Sequence, residues 1–150
     1  MAASTENIET VVTAGGDTYI PVAQGSGIYN LNLTGNMLLA GISAADIVTG
    51  LTLGHKFKIL AVKAISIVAP TTASKLATVT TYISGTAVTG GVLSLTTAAL
   101  ATKGTVLAGS TVTAANVGSE TDTITLTGSA VTAFVEGSVS IVLTIQNLEG

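Results

Sequence analysis

From Lys75 to Leu148 apolar and polar residues alternate in short runs separated by glycine: ATVTTYIS, GVLSLTT, GTVLAGSTVTA, DTITLTG and GSVSIVLTIQ. Alternation at period two sends successive side chains to opposite faces, so each run reads as a half-buried strand of an antiparallel sheet. Lys56 to Val68 is different. It is apolar in both phases, with Phe57, Ile59, Ala61, Ile65 and Ile67 set against Leu60, Val62 and Ala64. A strand covered on both faces has this texture, and Pro70-Thr71-Thr72 ends it. Further strands are expected at Leu76–Ser84, Thr86–Val88, Gly91–Thr97, Gly104–Ala108, Thr111–Ala115, Asp122–Thr127, Val131–Val135 and Ser138–Gln146. Gly85, Gly90-Gly91, Gly104, Gly109, Gly118, Gly128 and Gly137 mark the expected turns. About seven or eight short strands with glycine joints predict an all-β chain, an antiparallel β-sandwich of the jelly-roll or Ig-like kind.

The N-terminal third has another texture. Asp17–Ala23 and Ile28–Leu33 read as two short strands joined by Gln24-Gly25-Ser26-Gly27, with Pro21 placing the first at an edge. Ser43-Ala44-Ala45-Asp46 resembles a capping box opening one helical turn that Gly50 stops. Residues 1–16 carry no pattern long enough to fold alone and read as an extended arm; about fourteen residues reach roughly 46 Å. The expected organisation is an arm over 1–16 and one sandwich domain over 17–150. Within that domain, 17–53 is an accessory hairpin and turn region and 54–150 the core.

Composition narrows the function. Hydrophobic residues make up 47% of the 150 positions and aromatics only 3%, so the core must be Val, Ile, Leu and Ala. Charged residues are 9%, against about 25% in an ordinary soluble domain. Surface polarity therefore falls to Thr, Ser, Asn and Gly, which suits permanent contacts inside an assembly. The chain has five lysines, no arginine and a formal charge of −3. Arginine forks and basic patches are missing, so nucleic acid is not expected as a partner. Lys56, Lys58 and Lys63 cluster on an apolar run and read as solvated strand edges. With no cysteine, disulfides and thiol chemistry are excluded. The start, MAASTENIET, has neither a basic nor an apolar signal region, and Ile59–Ala69 is too short to span a bilayer, so synthesis in a cytoplasm and no membrane are expected.

Candidate chemistry is thin. His55 is the only histidine, and Ser26, His55 and Asp46 lack the strand–Gly-x-Ser-x-Gly–helix context of a nucleophile elbow. Gly50 to Lys56 is too short for a phosphate loop, and Phe57 stands where a magnesium-binding hydroxyl belongs. Glu120 and Asp122, with Asn116, fall short of the ligand number calcium needs. Asn32-Leu33-Thr34 matches a glycosylation sequon without a secretory context. No acid, base and nucleophile converge. A non-enzymatic chain without cofactor or metal is expected.

Four segments carry a family likeness: Gly85–Leu95 (GTAVTGGVLSL), Ala101–Val106 (ATKGTV), Val131–Gly137 (VTAFVEG) and Ser43–Leu51 (SAADIVTGL). Together they resemble the head decoration, or cement, proteins of tailed bacteriophages. The resemblance implies a β-sandwich on the capsid exterior of a virion, bound to the major capsid protein at capsomer joints and stabilising the shell, as a homo-oligomer, dimer or trimer. Related sandwiches serve as head fibres or tail modules, and a carbohydrate-binding adhesive sandwich is the alternative from another class. The residues expected to contact partners are Glu6, Ile8, Thr10, Val11, Val12 and Thr13 in the arm, with Tyr19 and Tyr29 beyond it. Strand addition through Thr10–Ala14 is the expected mode of clasping.

Overall fold

The computed structural model describes residues 27–149, together with the backbone of two short strands nearer the N-terminus, β1 (Val11–Val12) and β2 (Thr18–Tyr19). Strand chemistry continues through most of the chain: β3 (Ile28–Asn32), β4 (Met37–Leu38), β5 (Asp46–Thr52), β6 (Phe57–Val68), β7 (Leu76–Ile83) and β8 (Thr86–Thr96). β9 (Val106–Ala108), β10 (Val117–Gly118), β11 (Thr123–Thr132) and β12 (Ser138–Asn147) complete the series. All pairings are antiparallel.

Strands β3 to β12 form two sheets, and β1 and β2 pair with each other. In the first, β6 and β12 pair at the centre, with β3 and β4 beyond β12 and β9 and β10 beyond β6. The second runs β5-β11-β7-β8. Their inner faces close over one aliphatic core: Ile59, Val62 and Ala64 of β6 and Val139, Ile141, Leu143 and Ile145 of β12 meet Val79, Leu93, Leu95, Ile124 and Leu126 of the second sheet. Each Val, Ile or Leu among them contributes about 1.5–3 kcal/mol by leaving water. The antiparallel β-sandwich expected from the alternation is the fold observed.

One side of the sandwich is laced shut by residues 106–118. After β9 leaves β6, the Gly109 amide donates to Val62 O at 2.8 Å in the first sheet, and the Ser110 amide donates to Val92 O at 3.1 Å in the second. Thr113 N donates to Thr89 O and Thr89 N to Ala114 O, both at 3.0 Å, before the chain returns to β6 as β10. A strap along this edge satisfies backbone groups that would otherwise invite another chain. β3 with β4, and β5, are the outer strands of the opposite side.

Several sequence expectations change here, mostly because glycines serve as bulges and close approaches instead of turns. Gly90-Gly91 lies inside β8, in a bulge where Thr80 pairs Val92 and Tyr82 pairs Ala87. Gly90 takes φ +88°, and a Cβ there would lie 1.8 Å from Thr111 O of the strap. Gly128 continues β11, bare because Ser43 O passes 2.2 Å from where its Cβ would be. Gly50 does not stop a helix: residues 46–52 are strand, and the only turn of helix nearby is a 3₁₀ piece, Leu39–Gly41. Ile47, Val48 and Leu51 pack against the core, which overrides the capping-box pattern. Thr111–Ala115, expected as a strand, contributes a single bridge, Thr89 to Ala114.

The expected hairpin between residues 17–23 and 28–33 is replaced by other pairings, β2 with β1 and β3 with β12. β3 and β4 belong to the first sheet and β5 to the second, so 28–52 are part of the sandwich itself. Register also shifts on β6. Thr144 pairs Ala61 and Ile145 pairs Ile59, so Leu60 is an extra residue and the inward phase passes from Ile59 to Val62. Lys58 and Lys63, expected at strand edges, lie on this interior strand and project from the middle of the sheet.

Candidate interaction surfaces

The register assigns the outward side chains of each sheet, and the two outer faces differ in chemistry. On the first sheet Ile28, Gln146, Lys58 and Val117 form one transverse row, and Asn32, Val142, Lys63 and Ala108 another. Three further rows are Asn30–Thr144–Ala61, Ser140–Ile65–Val106 and Leu38–Ser138–Val68. Ile28, Leu38, Val68, Val106 and Val117 are each between 53% and 68% exposed. These rows therefore make an aliphatic rim around two lysines, and no acid lies in them.

The second sheet shows the opposite character. Its outward rows are Asp46–Thr127–Thr80–Val92, Thr125–Tyr82–Ala87, Ser129–Thr78–Ser94 and, at one end, Thr132–Leu76–Thr96 with Leu76 exposed. Hydroxyls dominate, with one carboxylate and one aromatic ring. A groove of about 290 Å³ opens among Asp46, Tyr82, Gly85, Thr125 and Thr127. Thr127 Oγ1 donates to Asp46 Oδ1 at 2.8 Å, and Thr125 Oγ1 accepts from the Gly50 amide at 3.2 Å.

Of the expected partner residues, Glu6, Ile8, Thr10 and Thr13 lie outside the described residues. Val11, Val12 and Tyr19 are placed by their backbone alone, in the β1–β2 pair. Tyr29 is half-buried on the inward phase of β3. Its hydroxyl lies 2.7 Å from His55 Nε2, and the rings meet edge-on at 5.9 Å. His55 Nδ1 is 2.9 Å from Lys56 O, a contact that needs the proton on Nδ1 and leaves Nε2 to accept from Tyr29. Burial raises the Tyr29 pKa above the ordinary phenol value. His55 and Tyr29 thus tie the β5–β6 turn to β3, while Asp46 serves a separate bond on the other sheet.

The remaining acids with shifted titration hold loops. Glu136 accepts four bonds from Thr71 and Thr72, of which the Thr72 amide at 2.7 Å and its hydroxyl at 2.8 Å are the shortest. These bonds, led by the Thr72 hydroxyl, hold its pKa below the ordinary value. Asp122 accepts from the Ser119 amide and the Ser84 hydroxyl, both at 2.7 Å, and is lowered by them in that order. Its oxygens staple the 119–122 turn to the β7–β8 turn. Among the described residues no group of three or more His, Asp or Glu could hold a metal ion.

No family model, curated protein or solved structure matches this chain. Fold and surface chemistry therefore carry the functional argument. Charge is also partitioned along the chain. Glu6, Glu9 and Asp17 precede residue 27, so the five remaining acids balance the five lysines. The formal charge of −3 belongs to the N-terminal segment. Among the described residues, no helix is long and apolar enough to cross a membrane.

Proposed function

We propose that this chain is a non-enzymatic structural protein of a tailed-phage virion, bound to the outside of the head at capsomer joints and stabilising the shell. The observation that carries the reading is the acid-free outer face of the first sheet, with its rim of five exposed aliphatic side chains around two lysines. Exposed aliphatic side chains ranged around the margin of a charge-poor face fit a lasting protein contact better than a free surface. The strap that joins β6 of the first sheet to β8 of the second supports a rigid module able to bear load. The acidic N-terminal segment lies next to β3 in sequence and supplies a second point of attachment on the major capsid protein or a sister subunit. Linked sites of this kind raise avidity by about 10²–10⁴-fold without new contacts.

The test is binding to purified heads lacking the protein, imaged at low resolution with and without it. Added density at capsomer joints is expected; protruding stalks would move the assignment to a head fibre, and unoccupied heads would refute attachment. A chain lacking residues 1–16 should keep a folded sandwich and decorate weakly. Full-strength decoration by that truncation would remove the arm from the mechanism.

A further inference from the structure

We propose that the groove on the outer face of the second sheet, between Asp46 and Tyr82, is a shallow binding site for a neutral sugar. The chemistry of this groove is independent of how the sandwich attaches to a shell. Tyr82 stands on an otherwise low surface: its neighbours across the sheet are Thr125 and Ala87, and Gly85 follows at the β7–β8 turn. An aromatic ring flanked by such short side chains offers a platform for the apolar C–H face of a pyranose.

The polar groups around the ring are matched to hydroxyls. Asp46 Oδ1 takes the Thr127 proton, but a carboxylate has about four acceptor sites, so capacity remains for two ligand hydroxyls. Thr127, having donated, is left with oxygen lone pairs. Thr125, having accepted from the Gly50 amide, keeps its own proton to give. Acceptor, acceptor and donor thus border one groove beside a ring. A sugar hydroxyl both donates and accepts, and vicinal hydroxyls satisfy all three groups together.

Other ligand classes fit less well. An anion would meet the Asp46 charge, and none of the lining residues is basic. A quaternary ammonium would find the carboxylate and one ring, but would cover the threonine hydroxyls without bonding them, which costs free energy. The groove volume of about 290 Å³ lies at the small end for ligand sites and suits a single sugar ring.

The test is a series of ¹H–¹⁵N correlation spectra of the full chain titrated with methyl α-D-glucopyranoside, methyl α-D-mannopyranoside and methyl β-D-galactopyranoside. At least one sugar should shift the Gly85, Thr125 and Thr127 amides with a dissociation constant of about 1 mM. Tyr82→Ala and Asp46→Asn should each weaken binding by about 10-fold or more, the range of a lost platform or charged hydrogen bond. Thr125→Val, which keeps the strand shape, should weaken it by a smaller factor. Lys103→Ala, on an exposed loop away from the groove, should bind as the wild type does. The proposal is overturned if none of the three sugars shifts these amides, or if well-folded Tyr82→Ala binds unchanged. It is likewise overturned if choline chloride reproduces the shifts at equal or lower concentration, since the groove would then read cations. Failure here leaves shell attachment untouched, and failure to decorate heads leaves the sugar titration untouched.

Discussion

Gly90 and Gly85 form a matched pair for testing the strap. Both have positive φ, +88° and +84°, so replacing either with alanine incurs the left-handed penalty of about 1–2 kcal/mol. Around Gly85 a Cβ meets nothing within 4 Å. Around Gly90 it meets Thr111 O at 1.8 Å, Thr111 C at 2.5 Å and Val112 Cα at 2.9 Å. These are backbone atoms and cannot rotate away, so the strap must lift. Lifting breaks the two 3.0 Å bonds between Thr89 and residues 113 and 114, about 1 kcal/mol each. It also uncovers Val112, which is partly buried against the core, for about another 1 kcal/mol. Gly85→Ala should therefore cost about 1 kcal/mol and Gly90→Ala about 4 kcal/mol. At about 2–4 °C per kcal/mol the melting temperatures should fall by roughly 3 °C and 12 °C. Urea denaturation gives the free energies, and amide exchange at Thr89 and Thr113 should accelerate in Gly90→Ala alone. Equal losses in the two variants, with those amides still protected, would refute the role of the strap.

Three other outcomes follow from contacts already described. Phe57 lies so close over Gly118 that a Cβ there would sit 2.3 Å from its ring; Gly118→Ala should cost about 1–3 kcal/mol, and pairing it with Phe57→Leu should be less than additive in a denaturation cycle. Asn116 donates to Ile59 O at 2.7 Å beside the β6 bulge, so Asn116→Ala should lose about 1–3 kcal/mol through a buried carbonyl left unpaired. Because the folded-state pKa values of Glu136 and Asp122 are lowered, their contribution is full above the ordinary carboxylate range and fades as pH falls through the lower folded values. Thermal melts should lose stability below about pH 4, and Glu136→Gln with Asp122→Asn should flatten that loss.

Period-two alternation was enough to expose the sandwich, because it reports directly which side chains face a core. Boundaries were harder where one residue type serves several geometries. Gly85 does turn the chain, as its positive φ beside Ser84 at +45° shows, whereas Gly90 and Gly128 are bare because another segment crosses them. Those crossings join residues far apart in sequence, Gly90 to Thr111 and Gly128 to Ser43, and leave no local trace. The β6 bulge had the same effect on Leu60 and Ala61, sending the inward phase one residue along. The groove was hidden for a related reason. Asp46, Tyr82 and Thr125 come from three strands, and only their register makes them neighbours. The signal present in the sequence was Tyr82 itself, an aromatic on the wet phase of a threonine-rich strand.

The contrast between the two outer faces supports one last prediction, a double dissociation. If the aliphatic face seats on the shell, the hydroxyl face on the opposite side of the sandwich points away from it, and each can be disabled alone. Val106→Lys with Val117→Lys places two charges on side chains that are 56% and 57% exposed, so the fold should tolerate them. In a desolvated contact each unpaired charge costs several kcal/mol, enough to weaken attachment by at least about 100-fold. Ala87→Lys instead puts a long side chain beside Tyr82 and should obstruct the groove while heads are decorated normally. Head co-sedimentation and sugar titration of both variants separate the faces. Loss of decoration in Ala87→Lys, or normal decoration by the double-lysine variant, would mean that the sandwich does not seat through its first sheet. The attachment surface would then have to be sought on the threonine face, where the groove and the shell would compete for the same residues.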